Sequence, residues 1–339
     1  MTNLRGQRLL FAKGPRITVE DCAIPQPTGK QVLVRTTRSH VSAGSEMNFL
    51  RHGPAGYGLK GPDDAAMCIG YMAVGQVAAL GPDATGVTLG QRVLTRSSHS
   101  SHWLVDLADP HPVIDPIPDG VSDDAAGFAI LAAVSLHGVR RATLQIDESV
   151  AVFGMGIVGQ MTLQLARLSG AYPLIAVDLS DARLAKAKLS GATHLINPSR
   201  ENAVERVREI TRGAGAETVF HCTPVASMLQ MLLECAADRG KVILTGSAPG
   251  VAQIGLQNEL LRRELTITGI YGRGLDQPHP YWPWTVKRDR LACLRLMASG
   301  DMPVDPLITH LVSPPEVQGV FEPMSKGTAG WIGVVVKWD

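Results

Sequence analysis

Residues 149–160, SVAVFGMGIVGQ, constrain the chain more than any other stretch. An apolar run of strand length meets three glycines in the order G-x-G-x-x-G: Gly154, Gly156 and Gly159. A helical pattern, IVGQMTLQLARLSG, starts at once. Each glycine meets a separate demand. The first permits a tight turn, the second lets backbone approach a pyrophosphate, and the third lets helix and strand pack closely. The helix N-terminus, with its unpaired N–H groups, favours the anion. The spacing alone is weak evidence, but a second mark agrees with it. The next apolar run, PLIAVD, ends on Asp178, 19 residues after Gly159, where a carboxylate takes the ribose hydroxyls. Gly154, Gly156, Ile157, Val158, Gly159 and Asp178 are therefore the expected dinucleotide contacts. A carboxylate at 178 repels a 2′-phosphate, so NAD is expected rather than NADP. Arg183 remains open, as a contact to the ribose or adenine or as a 2′-phosphate ligand.

The strand-helix alternation runs on. SVAVFG, PLIAVD, HLINP, TVFHCT, KVILTG and LTITGIYG read as strands. IVGQMTLQLARLSG, DARLAKAKLSGA, ENAVERVREITRG and MLQMLLECAADRG read as helices between them. This predicts an α/β fold with a doubly wound parallel sheet of Rossmann type over residues 129–272. The carboxyl ends of TVFHCT and VILTGS should face the cofactor, which adds Thr223, Thr245, Gly246 and Ser247; His221 reads as a core residue. Residues 1–128 are rich in turns and short strands. QVLVRTTRSHVSAG reads as a strand running into a loop, and MAVGQVAAL and QRVLT as further strands. After residue 272 the alternation stops. RGLDQPHPYWPWTVKRD reads as a loop, RDRLACLRLMASG as a helix and WIGVVVKW as a last strand. The predicted layout is discontinuous, with 1–128 and 273–339 forming a β-rich catalytic domain around an inserted 129–272.

Charge and cysteines narrow the function. The 32 basic and 31 acidic side chains leave a net charge of +1, which gives no electrostatic reason to expect nucleic acid or an anionic membrane as partner. No apolar run reaches the roughly 18 residues that a membrane helix needs. MTNLRGQRLLFAKG lacks a signal-peptide pattern, so the cytoplasm is the expected location. The five cysteines are scattered, without zinc-ligand spacing. The expected partner is a small-molecule substrate.

Nearly the whole chain resembles the medium-chain dehydrogenase/reductase superfamily. The resemblance rests on GYMAVGQVAALGPDATGVTLGQRV, the PDGVSDDAA turn, the GMGIVG domain, and VDPLITH with WIGVVVKW. It implies a GroES-like β-rich catalytic domain beside the Rossmann domain, an active site between them, and a homodimer or homotetramer. LTITGIYG would pair with its twin across a dimer axis. In zinc-bearing members a ligand Cys precedes a short hydroxyl-acid element, and here SAGSE puts Ala43, Ser45 and Glu46 at those positions. Tyr71 and Met72 stand where those members carry His and Glu, and the third ligand position falls near Ala129. Ala, Tyr, Met and Ala do not make a zinc site. The S-x-G-[ST]-E element with G-Y is similar to a zinc-free branch that includes bacteriochlorophyllide hydroxyethyl dehydrogenase-like proteins.

Without a metal, hydrogen-bond donors must meet the reacting oxygen and some group must exchange its proton. Ser45 is expected to orient that oxygen. Tyr71 either joins the chemistry, relaying a proton if its pKa falls, or plugs the former metal cavity. Glu46 is expected as a buried support or general base, and Asn48 as a residue that positions water. The resemblance puts His102 and Trp103 along the substrate cleft, together with His99, which reads otherwise as a loop histidine. Tyr281, Trp282 and Trp284 either wall the cleft or pack their loop, and His40 and His52 read as structural or solvated. The function that follows is a zinc-independent, NAD(H)-dependent interconversion of a secondary alcohol (polyol, sugar or hydroxyethyl type) and its ketone. An NAD(P)H-dependent enone or quinone reductase and a non-catalytic NAD-binding protein are the alternatives.

Overall fold

The computed structural model describes residues 5–14, 16–62, 64–271, 277–280, 282–326 and 330–339. It divides the chain into two compact units, residues 1–130 with 308–339, and residues 131–307.

The first unit is built on strands. β1 (Arg5–Ala12) and β2 (Arg16–Ala23) form an antiparallel hairpin that the pattern of residues 1–128 did not announce. β3 (Gln31–His40) is followed by a helix, α1 (Ala43–His52), where a loop was expected. Glu46 explains the helix: its carboxylate reaches back to accept the Ser42 N–H at 2.8 Å, satisfying a donor at the helix start. Then come β4 (Ala73–Leu80), β5 (Arg92–Thr95), β6 (His102–Asp106), β7 (Ile114–Pro116) and the short helix α2 (Asp123–Ala126). Ser122 caps α2 by accepting from Ala125 N at 3.0 Å.

The second unit alternates as predicted. α3 (Ala129–Ala142) leads into β8 (Val150–Phe153), α4 (Ile157–Leu168), β9 (Leu174–Val177), α5 (Asp181–Leu189), β10 (His194–Ile196) and α6 (Ala203–Ile210). β11 (Ala216–His221), α7 (Leu229–Cys235), β12 (Ala236–Leu244), β13 (Thr266–Gly269) and α8 (Val286–Ala298) complete it. The six strands lie in the order β10-β9-β8-β11-β12-β13, all parallel, the doubly wound arrangement with β8 at the switch point. The helix expected over MLQMLLECAADRG stops at Cys235, because the strand starts at Ala236 beside Ala216. Gly215 permits this: a Cβ there would lie 2.5 Å from Ala236 O.

Returning to the first unit, β14 (Ile308–Val312), α9 (Val317–Ser325) and β15 (Gly333–Lys337) close the chain. Its large sheet runs β14-β15-β3-β4-β5-β7, with β6 also paired to β3. Leu9, Phe11, Phe49, Phe321 and Val336 form one core, and Val32, Val34, Val77, Val93 and Val105 a second. The expected boundary at 272/273 moves to 307. Residues 277–307 join the second unit because Asp289 pairs with Arg140, Trp284 stacks on Arg140 at 3.6 Å, and Pro303 O accepts from Gln164 Nε2 at 3.0 Å. Tyr281 and residues 273–276 of the expected loop lie outside the described residues.

Candidate active site

The glycine-rich turn follows β8. Gly154 has φ +93°, a region that disfavours side chains, and a Cβ there would also lie 2.7 Å from Thr223 Cγ2. A Cβ on Gly159 would sit 1.8 Å from Gly154 O, so α4 approaches the turn as closely as main chain allows. Gly156 is different: its Cβ would meet nothing within 4 Å. Ile157 and Val158 open α4, with Ile157 buried and Val158 O accepting from Ser135 Oγ at 3.0 Å. Asp178 ends β9 and ties itself to the turn, accepting from Met155 N at 2.7 Å and Ser180 N at 2.8 Å. Arg183 Nη1 lies 3.8 Å from Asp178 Oδ2. Thr223 and Gly246 meet at the carboxyl ends of β11 and β12, where His221 O accepts from Gly246 N at 2.7 Å; Ser247 beyond them is exposed. His221 is buried, its Nδ1 accepting from Thr223 N at 3.2 Å and its Nε2 donating to Val225 O at 3.1 Å. The residues present fit a dinucleotide: the open cradle is main chain and the one carboxylate stands beside it.

The first unit brings together a second group. α1 carries Ser45 and Glu46, and the segment before β4 carries Tyr71. The Tyr71 hydroxyl bonds the Ser42 hydroxyl and lies 3.4 Å from Ser45 Oγ. Burial pushes the Tyr71 phenol up from its ordinary pKa, the two serine hydrogen bonds pull it down, and Glu46 adds to the rise. Tyr71 is therefore a protonated hydrogen-bond donor, and the lowered pKa that an intrinsic base would need is not found. Glu46 is 0% exposed and accepts from Ser42 N. Its other oxygen lies 3.2 Å from His99 Nε2. His99 is also 0% exposed, which overturns its reading as a loop histidine: β1 and the Cys68–Gly70 segment wrap it on both sides. Beyond it, Ser39 Oγ sits 2.7 Å from His99 Nδ1 and accepts from Trp338 Nε1 at 2.9 Å.

The remaining expected residues fall elsewhere. Asn48 donates to Gly56 O and so fixes the turn after α1. His102 pairs with Arg35 across β3 and β6 and contacts Ser101 Oγ at 3.0 Å; burial lowers its pKa. Trp103 packs on the second core. Trp282 belongs to the second unit, edge-on to His137 at 5.4 Å. His40 is fully buried on Phe128, and His52 is exposed. Ser42, Ser39 and Trp338 escaped the sequence reading, as did the pairing of His99 with Glu46. Ser39 lies in RTTRSH, the polar second half of β3, where nothing sets it apart from its neighbours.

The fold and cradle define a two-unit protein with a Rossmann sheet. The Zinc-binding dehydrogenase family matches residues 158–287. L-threonine 3-dehydrogenase of Pyrococcus horikoshii is 28% identical over 342 residues, covering 93% of each chain. D-guloside 3-dehydrogenase of Escherichia coli is 27% identical over 252 residues, 73% of this chain and 71% of that one. The solved structure of an oxidoreductase/dehydrogenase of unknown specificity from Escherichia coli matches the fold with a TM-score of 0.84 at 21% identity, covering 98% of this chain and 99% of its own. The chain is similar to proteins of the medium-chain dehydrogenase/reductase superfamily.

The resemblance puts Ala43, Tyr71, Met72 and Ala129 at the metal-site positions, and the described residues contain no group of three or more His, Cys, Asp or Glu side chains able to hold a metal ion. Among the described residues no helix is long and apolar enough to cross a membrane.

Proposed function

We propose that the protein is a zinc-independent, NAD(H)-dependent oxidoreductase that interconverts a secondary alcohol and its ketone, with a polyol, a sugar or a hydroxyethyl-bearing compound as substrate. One arrangement carries the reading: the Tyr71 phenol, at the position where the resemblance puts a metal ligand, bonds the Ser42 hydroxyl and lies 3.4 Å from Ser45 Oγ. Such a group can hydrogen-bond the substrate oxygen where other members use a Lewis acid. A bound nicotinamide supplies the hydride acceptor or donor. In ketone reduction Tyr71 gives its proton to the forming alkoxide, and Ser45 orients the oxygen. In alcohol oxidation Tyr71 must first give up its own proton to solvent, and the phenolate then takes the carbinol proton. Asp178, already tied to Met155 N, favours NAD over NADP by repelling a 2′-phosphate. The relatives' names suggest the alcohol class: one is an L-threonine 3-dehydrogenase and the other a D-guloside 3-dehydrogenase.

We assign a homodimer to the same proposal. β13 is an edge strand, and exposed Leu256, Leu261 and Tyr271 lie near it in sequence. The test is a panel of secondary alcohols and ketones, including threonine, 2,3-butanediol, sugar alcohols and glycosides, assayed with NAD(H) and NADP(H) beside metal analysis. Turnover with NAD(H) in zinc-free protein is expected. Zinc near one equivalent, a clear NADP preference, or turnover of enones alone would overturn it.

A further inference from the structure

His99 lies between Ser39 and Glu46, and donor chemistry fixes its protons. The Trp338 indole N–H only donates, and it reaches Ser39 Oγ at 2.9 Å. Ser39 thus accepts from the indole; a carboxylate oxygen can only accept from Nε2, so the neutral imidazole leaves Nδ1 bare to take the Ser39 hydrogen at 2.7 Å. An imidazole that accepts at Nδ1 carries its proton on Nε2, which faces Glu46 Oε2 at 3.2 Å. Glu46 Oε1 then takes the Ser42 N–H, and the Ser42 hydroxyl meets the Tyr71 hydroxyl. One path joins Trp338, Ser39, His99, Glu46, Ser42 and Tyr71, each donor facing one acceptor.

The same ring fixes the main chain that enters Tyr71. His99 N donates to Ile69 O at 2.9 Å. Gly70 has φ +108°, and a Cβ there would lie 2.8 Å from His99 Cδ2. Only glycine lets the chain pass this close to the imidazole.

We propose that His99 is a positioning residue for the reaction at Tyr71: locked as its Nε2–H tautomer by Ser39 and Trp338, it orients Glu46 and, through Glu46 and Gly70, sets Ser42 and the main chain that present the Tyr71 hydroxyl. The inference rests on the function proposed above. Glu46 and Arg96 are the charged groups that act on Tyr71, with Tyr57 the neighbouring phenol.

The test has two arms. Nitrogen-15 spectra of histidine-labelled, cofactor-free protein, with His99→Gln used for assignment, are expected to show the neutral His99 ring protonated on Nε2 and bare on Nδ1. Ser39→Ala should weaken that preference, with Glu46 still facing Nε2. An Nδ1–H or doubly protonated ring in the unaltered protein overturns the inference. The second arm follows kcat and KM with NAD(H) and the panel compound of highest rate. His99→Ala should lower kcat about tenfold or more while KM moves less, since misplacement of a reacting group is costly. His99→Gln, whose amide still donates to Glu46, should recover most of it. A folded His99→Ala protein at full kcat, or equal losses in both variants, overturns the inference. Should His99→Ala fail to fold, Ser39→Ala and Trp338→Phe put the same question to the outer links, and full kcat in both counts against it. The spectra need no substrate. Full activity in Tyr71→Phe would therefore strike the proposed function, and a wrong tautomer this inference alone.

Discussion

The two candidate sites are made of different materials. The cradle of the second unit is main chain. Three glycines, a helix start and one carboxylate fall within residues 154–178. The cluster of the first unit is side chain, assembled across the sequence: Trp338 and Ser39 stand 299 residues apart, and His99 and Glu46 stand 53 apart. A main-chain site shows in sequence as missing side chains, because only glycine lets backbone come so near. A side-chain site shows only as polar residues in apolar runs, with partners hidden until the chain folds.

Two substitutions test that contrast hardest. Gly159→Ala should do the greater damage. Its methyl group would sit 1.8 Å from Gly154 O, and main chain on both sides cannot give way. The second unit is expected to unfold or, if it folds, to lose more than about 100-fold in NAD affinity by calorimetry. Affinity within tenfold of the parent would show that close packing does not shape the cradle. Glu46→Ala acts on the other material. It leaves the Ser42 N–H and His99 Nε2 without acceptors in a dry site, at a cost of about 2–4 kcal/mol. Urea unfolding should report that loss, and Glu46→Gln should suffer less. Equal stability in all three proteins would mean that the buried carboxylate is not what orders α1.

The legible parts of the sequence follow the same division. The Rossmann sheet and its glycine-rich turn stood in the local pattern, since period and glycine spacing need no distant partner. The helix α1 was missed because SAGSE reads as a turn until Glu46 is seen closing back on Ser42 N. His99 read as a loop residue because its neighbours are serines, yet β1 and the Cys68–Gly70 segment bury it. The boundary at 307 escaped because it depends on Arg140 meeting Asp289 and Trp284, 149 residues on in the case of Asp289. Tyr71 was noticed by its position, but burial and its neighbours decide its protonation.

A pH titration separates the first unit from the second more gently. His40 is fully buried on Phe128, with Nε2 2.9 Å from Asp124 O, and burial lowers its pKa from 6.5 to about 4. The unfolded chain therefore binds the proton more readily between those values. The stabilisation is complete above about pH 6.5 and is lost as pH falls toward 4. Between pH 7 and pH 5 the first unit should lose about 2 kcal/mol from this group, at about 1.4 kcal/mol per pH unit. Urea midpoints at the two values, read on a probe in each unit, check it. A drop confined to the second unit would point to another group.

Gly156 carries the smallest expected change and separates folding from function most cleanly. Its φ of −70° suits any residue, and a Cβ there would meet open space. The folded chain gives no reason for glycine at this position, in contrast to Gly154 and Gly159. The remaining reason is a ligand that approaches the backbone from outside, as a pyrophosphate does. Gly156→Ala should therefore leave the thermal midpoint unchanged or slightly raised, since alanine restricts the unfolded chain. NAD affinity should fall about tenfold, or about 1.4 kcal/mol. A variant that binds NAD as tightly as the parent would mean that the dinucleotide does not pass over this glycine. The cradle's fit to the cofactor would then rest on Asp178 and the start of α4 alone.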